Sequence, residues 1–499
     1  MLVQTTLVAL GATLAAAVKP MAFKDDHFVH PDTGDRFQIV GVAYQPGGSA
    51  GYKPDQGRDP LSNADICIRD AALIQALGAN AIRVYNLDPK LNHDACASIF
   101  NAAGIYMILD VNSPLVGESL QNFNPWESYY AAYLNRTFAI VEAFKGYPNT
   151  LAFFSGNEVI NDLKSASQVP PYIRAVTRDL KNYVAKHSTR PIPVGYSAAD
   201  VRDVLFDSYN YFQCSIAGED KDMSRSDIFA LNSYSWCGAS SFTTSGYDQL
   251  VAGFRGTSLP VFFSEYGCNT PSPRLFTEVG AMYSDQMTST FSGGVVYEYS
   301  QEPNNFGLVQ IAKDGSVTLL DDYYTLKAQL AKLDFKKVYG VKAASPAPPP
   351  PKCEASLIKA KGFNGNFTLP VLPPGAAEII AGGVKPTPSG KIIQVSNMKV
   401  TQQIKTQNGT AVTGLEVKQL ANDAINQPGS NSGAGSGTVT TPATTPATST
   451  GNMTGSRADT AASATTSAPK KDSASHGQVS RALLVVAPLS VAMIVAMLF

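Results

Sequence analysis

Short apolar runs recur along the first two thirds of the chain, each followed by a segment of helical periodicity. The runs are Gln38–Tyr44, Ala81–Tyr85, Tyr106–Asp110, Leu151–Phe154, Ile192–Tyr196, Ile228–Asn232, Val261–Ser264 and Val295–Tyr299. They are continuous in hydrophobicity rather than alternating, which is the pattern of strands covered on both faces. Between them, apolar residues at helical spacing predict helices over Asn63–Leu77, Asn92–Ala103, Tyr129–Phe144, Pro170–His187, Tyr247–Phe254 and Thr277–Phe291, with a last helix over Tyr323–Leu333. Gly78 and Gly104 close the first two, and Pro170 opens the fourth where its missing N–H costs nothing. Eight β-then-α units predict a (β/α)8 barrel over residues 18–340, with its active site at the C-terminal ends of the strands.

Polar residues stand at those ends. Two strands each deliver a glutamate: Ser155-Gly156-Asn157-Glu158 after the fourth and Ser264-Glu265-Tyr266-Gly267 in the seventh. A carboxyl at the mouth of a packed barrel is costly without a task. Two facing one cleft are what cleavage of a glycosidic bond requires. Tyr85, Asp110 with Asn112, Asp200, Asn232 with Tyr234, and Tyr297 share the same rim. Any one of them could be structural; seven positions on one rim point to a site.

Composition narrows the partners. The 499 residues carry a formal net charge of -1, so there is no basic field to attract nucleic acid. Six cysteines without a Cx2C pattern predict disulfides, with 15 pairings open, rather than a zinc site. No metal and no cofactor is expected. Residues 1–17 read as a secretory signal peptide, and sequons at Asn135, Asn366, Asn408 and Asn452 accord with secretion. Residues 341–352 are a Pro-rich linker. Residues 353–427 read as a small β-rich accessory module. Residues 428–475 form a Ser/Thr/Gly/Pro-rich disordered stalk. Small residues around Ser473, a short spacer and an uncharged apolar end make residues 476–499 a GPI-attachment propeptide, with Ser473 the expected acceptor and a lipid anchor in the membrane.

Tyr44-Gln45-Pro46-Gly47-Gly48, Arg83-Val84-Tyr85, Gly156-Asn157-Glu158, Asn232-Ser233-Tyr234-Ser235-Trp236-Cys237-Gly238, Ser264-Glu265-Tyr266-Gly267-Cys268 and Tyr297-Glu298-Tyr299-Ser300-Gln301-Glu302 together resemble the fungal β-1,3-glucanosyltransferases of glycoside hydrolase family 72, over roughly Phe23 to Leu333. The resemblance implies a retaining enzyme of the outer plasma membrane face and cell wall. It would cut a β-1,3-glucan internally and pass the fragment to the non-reducing end of another. It implies Glu158 as acid/base, Glu265 as nucleophile and Asn157 on the sugar 2-hydroxyl. Tyr85, Tyr234 and Tyr297 would line the subsites. Asn112, Ser113, Glu118 and Ser119, with Asp200 and Arg202, would bind glucan. The chain is shorter than the family pattern near Asp200. The implied disulfides are Cys67–Cys96, Cys214–Cys353 and Cys237–Cys268. An endo-β-1,3-glucanase of the same fold needs the same carboxylates. A catalytically silent wall-glucan-binding protein would not need them.

Overall fold

The computed structural model describes residues 18–216, 221–340, 346–386 and 389–431. The leader, Ser473, Asn452, the stalk from residue 432 and the segment 476–499 lie outside the described residues. Among those described, eight parallel strands close into a barrel. They are β1 (Ile39–Ala43), β2 (Ala81–Val84), β3 (Tyr106–Asp110), β4 (Thr150–Asn157), β5 (Val194–Ala199), β6 (Ile228–Asn232), β7 (Val261–Tyr266) and β8 (Phe291–Val296). Each pairs with its sequence neighbour, and β8 closes on β1.

The apolar side chains sort into two layers. Ile39, Ala81, Ile108, Phe154, Ala230, Phe262 and Val295 fill the barrel interior. Val40, Ile82, Leu109, Phe153, Leu231, Phe263 and Val296 face the surrounding helices. A three-stranded meander (Ala22–Lys24, His27–Val29, Arg36–Phe37) lies on the interior layer, with Phe28 against Phe262 and Phe37 against Tyr106.

Three elements differ from the sequence expectation. The eighth strand begins four residues early, at Phe291. Gly293 and Gly294 lie inside it, where β1 approaches so closely that a Cβ at Gly293 would stand 2.1 Å from the Ile39 carbonyl oxygen. The helix expected over Thr277–Phe291 is two short ones, Glu278–Met282 and Asp285–Thr288. A helix over Arg202–Gln213 was not anticipated, since its Ser208-Tyr209-Asn210-Tyr211-Phe212 run carries a strand-like composition.

The six cysteines are paired as Cys67–Cys96, Cys214–Cys353 and Cys237–Cys268. The last joins the loops that follow β6 and β7. The stretch from Cys353 onward contributes strands Ile404–Thr406 and Ala411–Val412 to a four-stranded sheet begun by Val309–Ile311 and Val317–Leu319. It also holds the short helix Ala376–Gly382 and is otherwise mostly extended. Its buried apolar side chains, Phe363, Ala376, Ile404, Leu415 and Val417, all join the barrel's outer layer rather than a core of their own.

This stretch runs as a belt around the helical ring, visiting the helices in the reverse of their chain order. The Asp207 carboxylate of Arg202–Gln213 accepts from the amides of Lys359 and Ala360, at 2.9 and 2.6 Å. On Pro170–His187, Arg178 donates to the Pro370 carbonyl, and the Tyr183 hydroxyl accepts from the Val384 amide. Asp94 and Ser98 of the helix Asp94–Ala102 accept from Lys391 and Ile393. Finally Gln75, on Ala64–Leu77, donates to the Lys418 carbonyl (2.7 Å) and accepts from the Lys418 amide (2.8 Å) and the Asn431 side chain (2.9 Å).

Candidate active site

Strict alternation along β7 would place Glu265 with Val261 and Phe263, facing the helices. A register shift between Phe263 and Glu265 prevents this. Ser264 keeps the inward parity of Phe262 and bonds Asn232 at 2.7 Å, and Glu265 also reaches the cleft. The same device acts on β4, where the register against β5 shifts between Phe154 and Gly156 and brings Asn157 inward. Irregularities of this kind re-aim side chains at barrel rims. Glu158 then adopts φ 50°, a left-handed conformation costly for a side chain with a Cβ and typical of functional sites.

Glu265 is 3% exposed and meets three donors. Its Oε1 accepts from Arg83 Nη1 (3.2 Å) and the Tyr85 hydroxyl (3.0 Å), and its Oε2 accepts from the Tyr234 hydroxyl (2.6 Å). Burial raises its pKa, against the pull of Arg83, Tyr234 and Tyr85. All three of these contacts are donors to the carboxyl oxygens, so the arrangement suits the carboxylate.

Glu158 is half-buried. Its Oε1 accepts from Asn232 Nδ2 at 2.9 Å. Burial first, then the negative charge of Glu265, push it up to about 7. The two carboxyls are therefore distinct: one lies under three donors, the other under a single amide and open to the cleft.

Arg83 knits the floor. It is fully buried on β2, stacked against the rings of Tyr85 and Phe154. Besides Glu265 it donates to Asp110 Oδ2 (2.9 Å), Asn157 Oδ1 (2.8 Å) and Asn232 Oδ1 (3.3 Å). Burial pushes Asp110 up to about 6 despite the guanidinium beside it. Ser197 donates to Asn157 Oδ1 at 2.9 Å. With its Asn157 oxygen engaged three times, the amide NH2 is the group left to meet a ligand. Above the floor, Tyr234 makes edge contacts with Tyr297 and Phe306, and Tyr297 with Tyr85.

The structure thus brings Tyr85, Asn157, Glu158, Tyr234, Glu265 and Tyr297 together. Asp200 and Arg202 stand one step out. They pair with each other at 2.5 Å, and Asp200 accepts from Ser233 beside Tyr234. The β3 loop residues are not joined to the carboxylates. Asn112 donates to the Ser155 carbonyl and accepts from Tyr133, and Ser113 donates to Glu118, which pairs with Arg136 at 2.7 Å. Ser119 is half-buried in the same loop.

Residues 10–334 match the family profile described as glucanosyltransferase, glycoside hydrolase family 72. The chain belongs to that family. It is 53% identical over 427 residues to the 1,3-beta-glucanosyltransferase gel2 of Aspergillus fumigatus, covering 86% of this chain and 88% of the relative. It is 46% identical over 406 residues to the probable 1,3-beta-glucanosyltransferase GAS3 of Saccharomyces cerevisiae, covering 78% and 77%. Its fold is similar to that of a mutant Saccharomyces cerevisiae Gas2p in complex with laminaritetraose and laminaripentaose, with TM-score 0.62 and 34% identity over 71% of this chain and 75% of that one.

Two residues of this family 72 site, Arg83 and Ser197, were not singled out from sequence as site residues; Asp110 and Asn232 were placed on the rim without a role. Arg83 had a signal. An arginine within Ala81-Ile82-Arg83-Val84, on the inward parity of Ala81 and Tyr85, demands buried acids opposite it.

Proposed function

We propose that this chain is a retaining β-1,3-glucanosyltransferase. The observation that carries the reading is the single network Glu158–Asn232–Arg83–Glu265, which couples an exposed-facing acid of raised pKa to a carboxylate under three donors. Glu265 attacks the anomeric carbon as Glu158 gives its proton to the departing glycosidic oxygen. The C–O bond breaks, and the donor fragment is left as an ester on Glu265. Asn157 offers its NH2 to the 2-hydroxyl. Glu158, now ionised, takes the proton of an incoming 3-hydroxyl at the non-reducing end of a second chain. That oxygen replaces Glu265 on the anomeric carbon, so two inversions give net retention. Water in the same place gives hydrolysis. The aromatic wall of Tyr85, Tyr234, Tyr297 and Phe306 favours sugar over water by stacking the acceptor. Asn112, Ser113, Glu118, Ser119, Asp200 and Arg202 would serve more distant sugars of the glucan.

The leader and the tail around Ser473 support export and a GPI anchor at the plasma membrane and wall. Among the described residues no helix is long and apolar enough to cross a membrane. The test of function is the product profile from one defined laminari-oligosaccharide. Products longer than the substrate establish transfer, and only shorter ones would make the chain an endo-glucanase. Release by phosphatidylinositol-specific phospholipase C tests the anchor; retention with the tail intact refutes it.

A further inference from the structure

The loop that leaves β7 after Glu265 carries Arg274, a side chain that the proposed mechanism does not use. It is 2% exposed and makes contacts in three directions. Nη1 donates to the carbonyl of Tyr297 at 2.7 Å and, more weakly, to that of Gly267 at 3.5 Å. Nη2 donates to the carbonyl of Phe306 at 2.6 Å, with Gly307 at 3.5 Å. Nε donates to Asp322 Oδ2 at 2.6 Å, and the Arg274 amide reaches Asp322 Oδ1 at 3.3 Å. The guanidinium also lies 4.6 Å from the Phe276 ring centre.

The two residues gripped by their carbonyls are those whose rings enclose Tyr234. Phe306 stands 5.4 Å from Tyr234 and 5.4 Å from Tyr297, and Tyr234 stands 6.3 Å from Tyr297. Tyr234 in turn holds Glu265 Oε2. A chain of contacts therefore runs from Asp322, on the helix Asp321–Leu330 outside the barrel, through Arg274 to the ring cluster and on to the nucleophile. Only a planar fork with several fixed donors can bind two carbonyls and a carboxylate at once; an ammonium is a point charge with one centre.

We propose that Arg274 is a positioning residue: by clamping the carbonyls of Tyr297 and Phe306 it fixes the wall that aims the Tyr234 hydroxyl at Glu265. This rests on the reading of Glu265 as nucleophile, and it adds a residue that touches neither the sugar nor the two catalytic carboxyls. Arg274 then acts through Tyr234, so the two are coupled energetically.

The test is a double-mutant cycle of Arg274→Met and Tyr234→Phe, with Arg274→Lys beside it. Cleavage of laminari-oligosaccharide is followed against pH, laminaripentaose binding by calorimetry, and folding by thermal melts. Arg274→Met should lower kcat about tenfold and move the acid limb of the profile in the same direction as Tyr234→Phe. The double variant should be scarcely worse than Tyr234→Phe alone. Arg274→Lys keeps a positive charge beside Asp322 but cannot span both carbonyls. It should recover most of the melting temperature and little of kcat, and it stands in if the Met variant does not fold. Binding gives a readout independent of turnover, and both Arg274 variants should weaken it. Losses that add in full, or an acid limb that stays in place while only the melting temperature falls, would reduce Arg274 to a structural residue and overturn the proposal. A parent that binds laminaripentaose without cleaving it would refute the proposed function while leaving the clamp to be judged by binding.

Discussion

Tyr234→Phe removes one hydroxyl and leaves the ring packing intact. That hydroxyl sits 2.6 Å from Oε2 of Glu265, a residue 3% exposed, and donates to the oxygen opposite the one that Arg83 and Tyr85 hold. A hydrogen bond to a buried charged group contributes about 1.5–3 kcal/mol. Taking about 1.5 for a bond whose neighbours, Arg83 and Tyr85, still hold Oε1, the ionised form of Glu265 loses roughly one pKa unit of stabilisation. The sign is upward, because the lost interaction favoured the carboxylate. The acid limb of kcat/KM against pH should therefore move up by about one unit. Below the shifted limb the variant should lose about tenfold more activity than above it. The alkaline limb belongs to Glu158, which Tyr234 does not touch, and should stay near 7. The assay is release of the alditol-ended leaving fragment from a borohydride-reduced laminari-oligosaccharide, followed across pH 3 to 9. A uniform loss at every pH, with the acid limb unmoved, would show that Tyr234 acts on the sugar and not through Glu265.

Other outcomes follow from the same contacts. Glu158→Ala should lose turnover on unactivated glucan yet accumulate the glycosyl-enzyme from an activated glycoside. Azide should release it as the β-azide, and an α product would mean that Glu158, not Glu265, had been the nucleophile. Stability should fall as pH rises from about 5 to 8. Burial holds Asp110 near 6, Glu158 and Glu278 near 7 and Glu298 near 8, all above their unfolded values near 4, so their contribution is complete in acid and is lost as pH climbs through those folded values. Melting curves that rise over that range would contradict the assignment, and Glu298→Gln should flatten the last part of the fall. Gln75→Ala strands the Lys418 amide and takes from the Asn431 NH2 one of its two acceptors, and should cost about 1–3 kcal/mol while leaving kcat unchanged. Thermal melts and early proteolysis between residues 391 and 431 would register it, and an unchanged melting temperature would mean the belt adds nothing.

The barrel was legible because each buried strand is a short apolar run, and the rim was legible because polar residues end those runs. What period-2 reading could not give is the register shift at Phe263 and at Phe154. Taken literally, it turns Glu265 toward the helices; only its place at the strand's end, at the mouth of the packed barrel, put that residue in the cleft. Arg83 was overlooked because a charged residue inside an apolar strand reads as a defect unless its partners are sought across the barrel. The belt left no signature. Backbone groups bonded to Asp207, Asp94 and Gln75 impose no periodicity on the residues that carry them. Cysteine pairing came through the resemblance alone, since spacing left every pairing open.

The belt also decides what a pull on the chain would do. A force applied beyond Asn431 loads its attachments in series. Those on Gln75 give way first, then the pairing of Ile404–Thr406 with Val317–Leu319, then those on Ser98 and Asp94, Tyr183, Arg178 and Asp207. Contacts broken one at a time resist weakly, like a zip. Peeling halts at Cys353, because its disulfide hands the load to Cys214 at the end of the helix Arg202–Gln213. The 78 residues from Glu354 to Asn431 would by then have paid out as slack, roughly 260 Å at about 3.4 Å per residue. Tugging in an optical trap should show a run of small steps, then a hard stop at that length, and the stop should vanish on reduction. Until the slack was spent, the barrel that holds Glu158 and Glu265 would bear no more tension than one such attachment withstands.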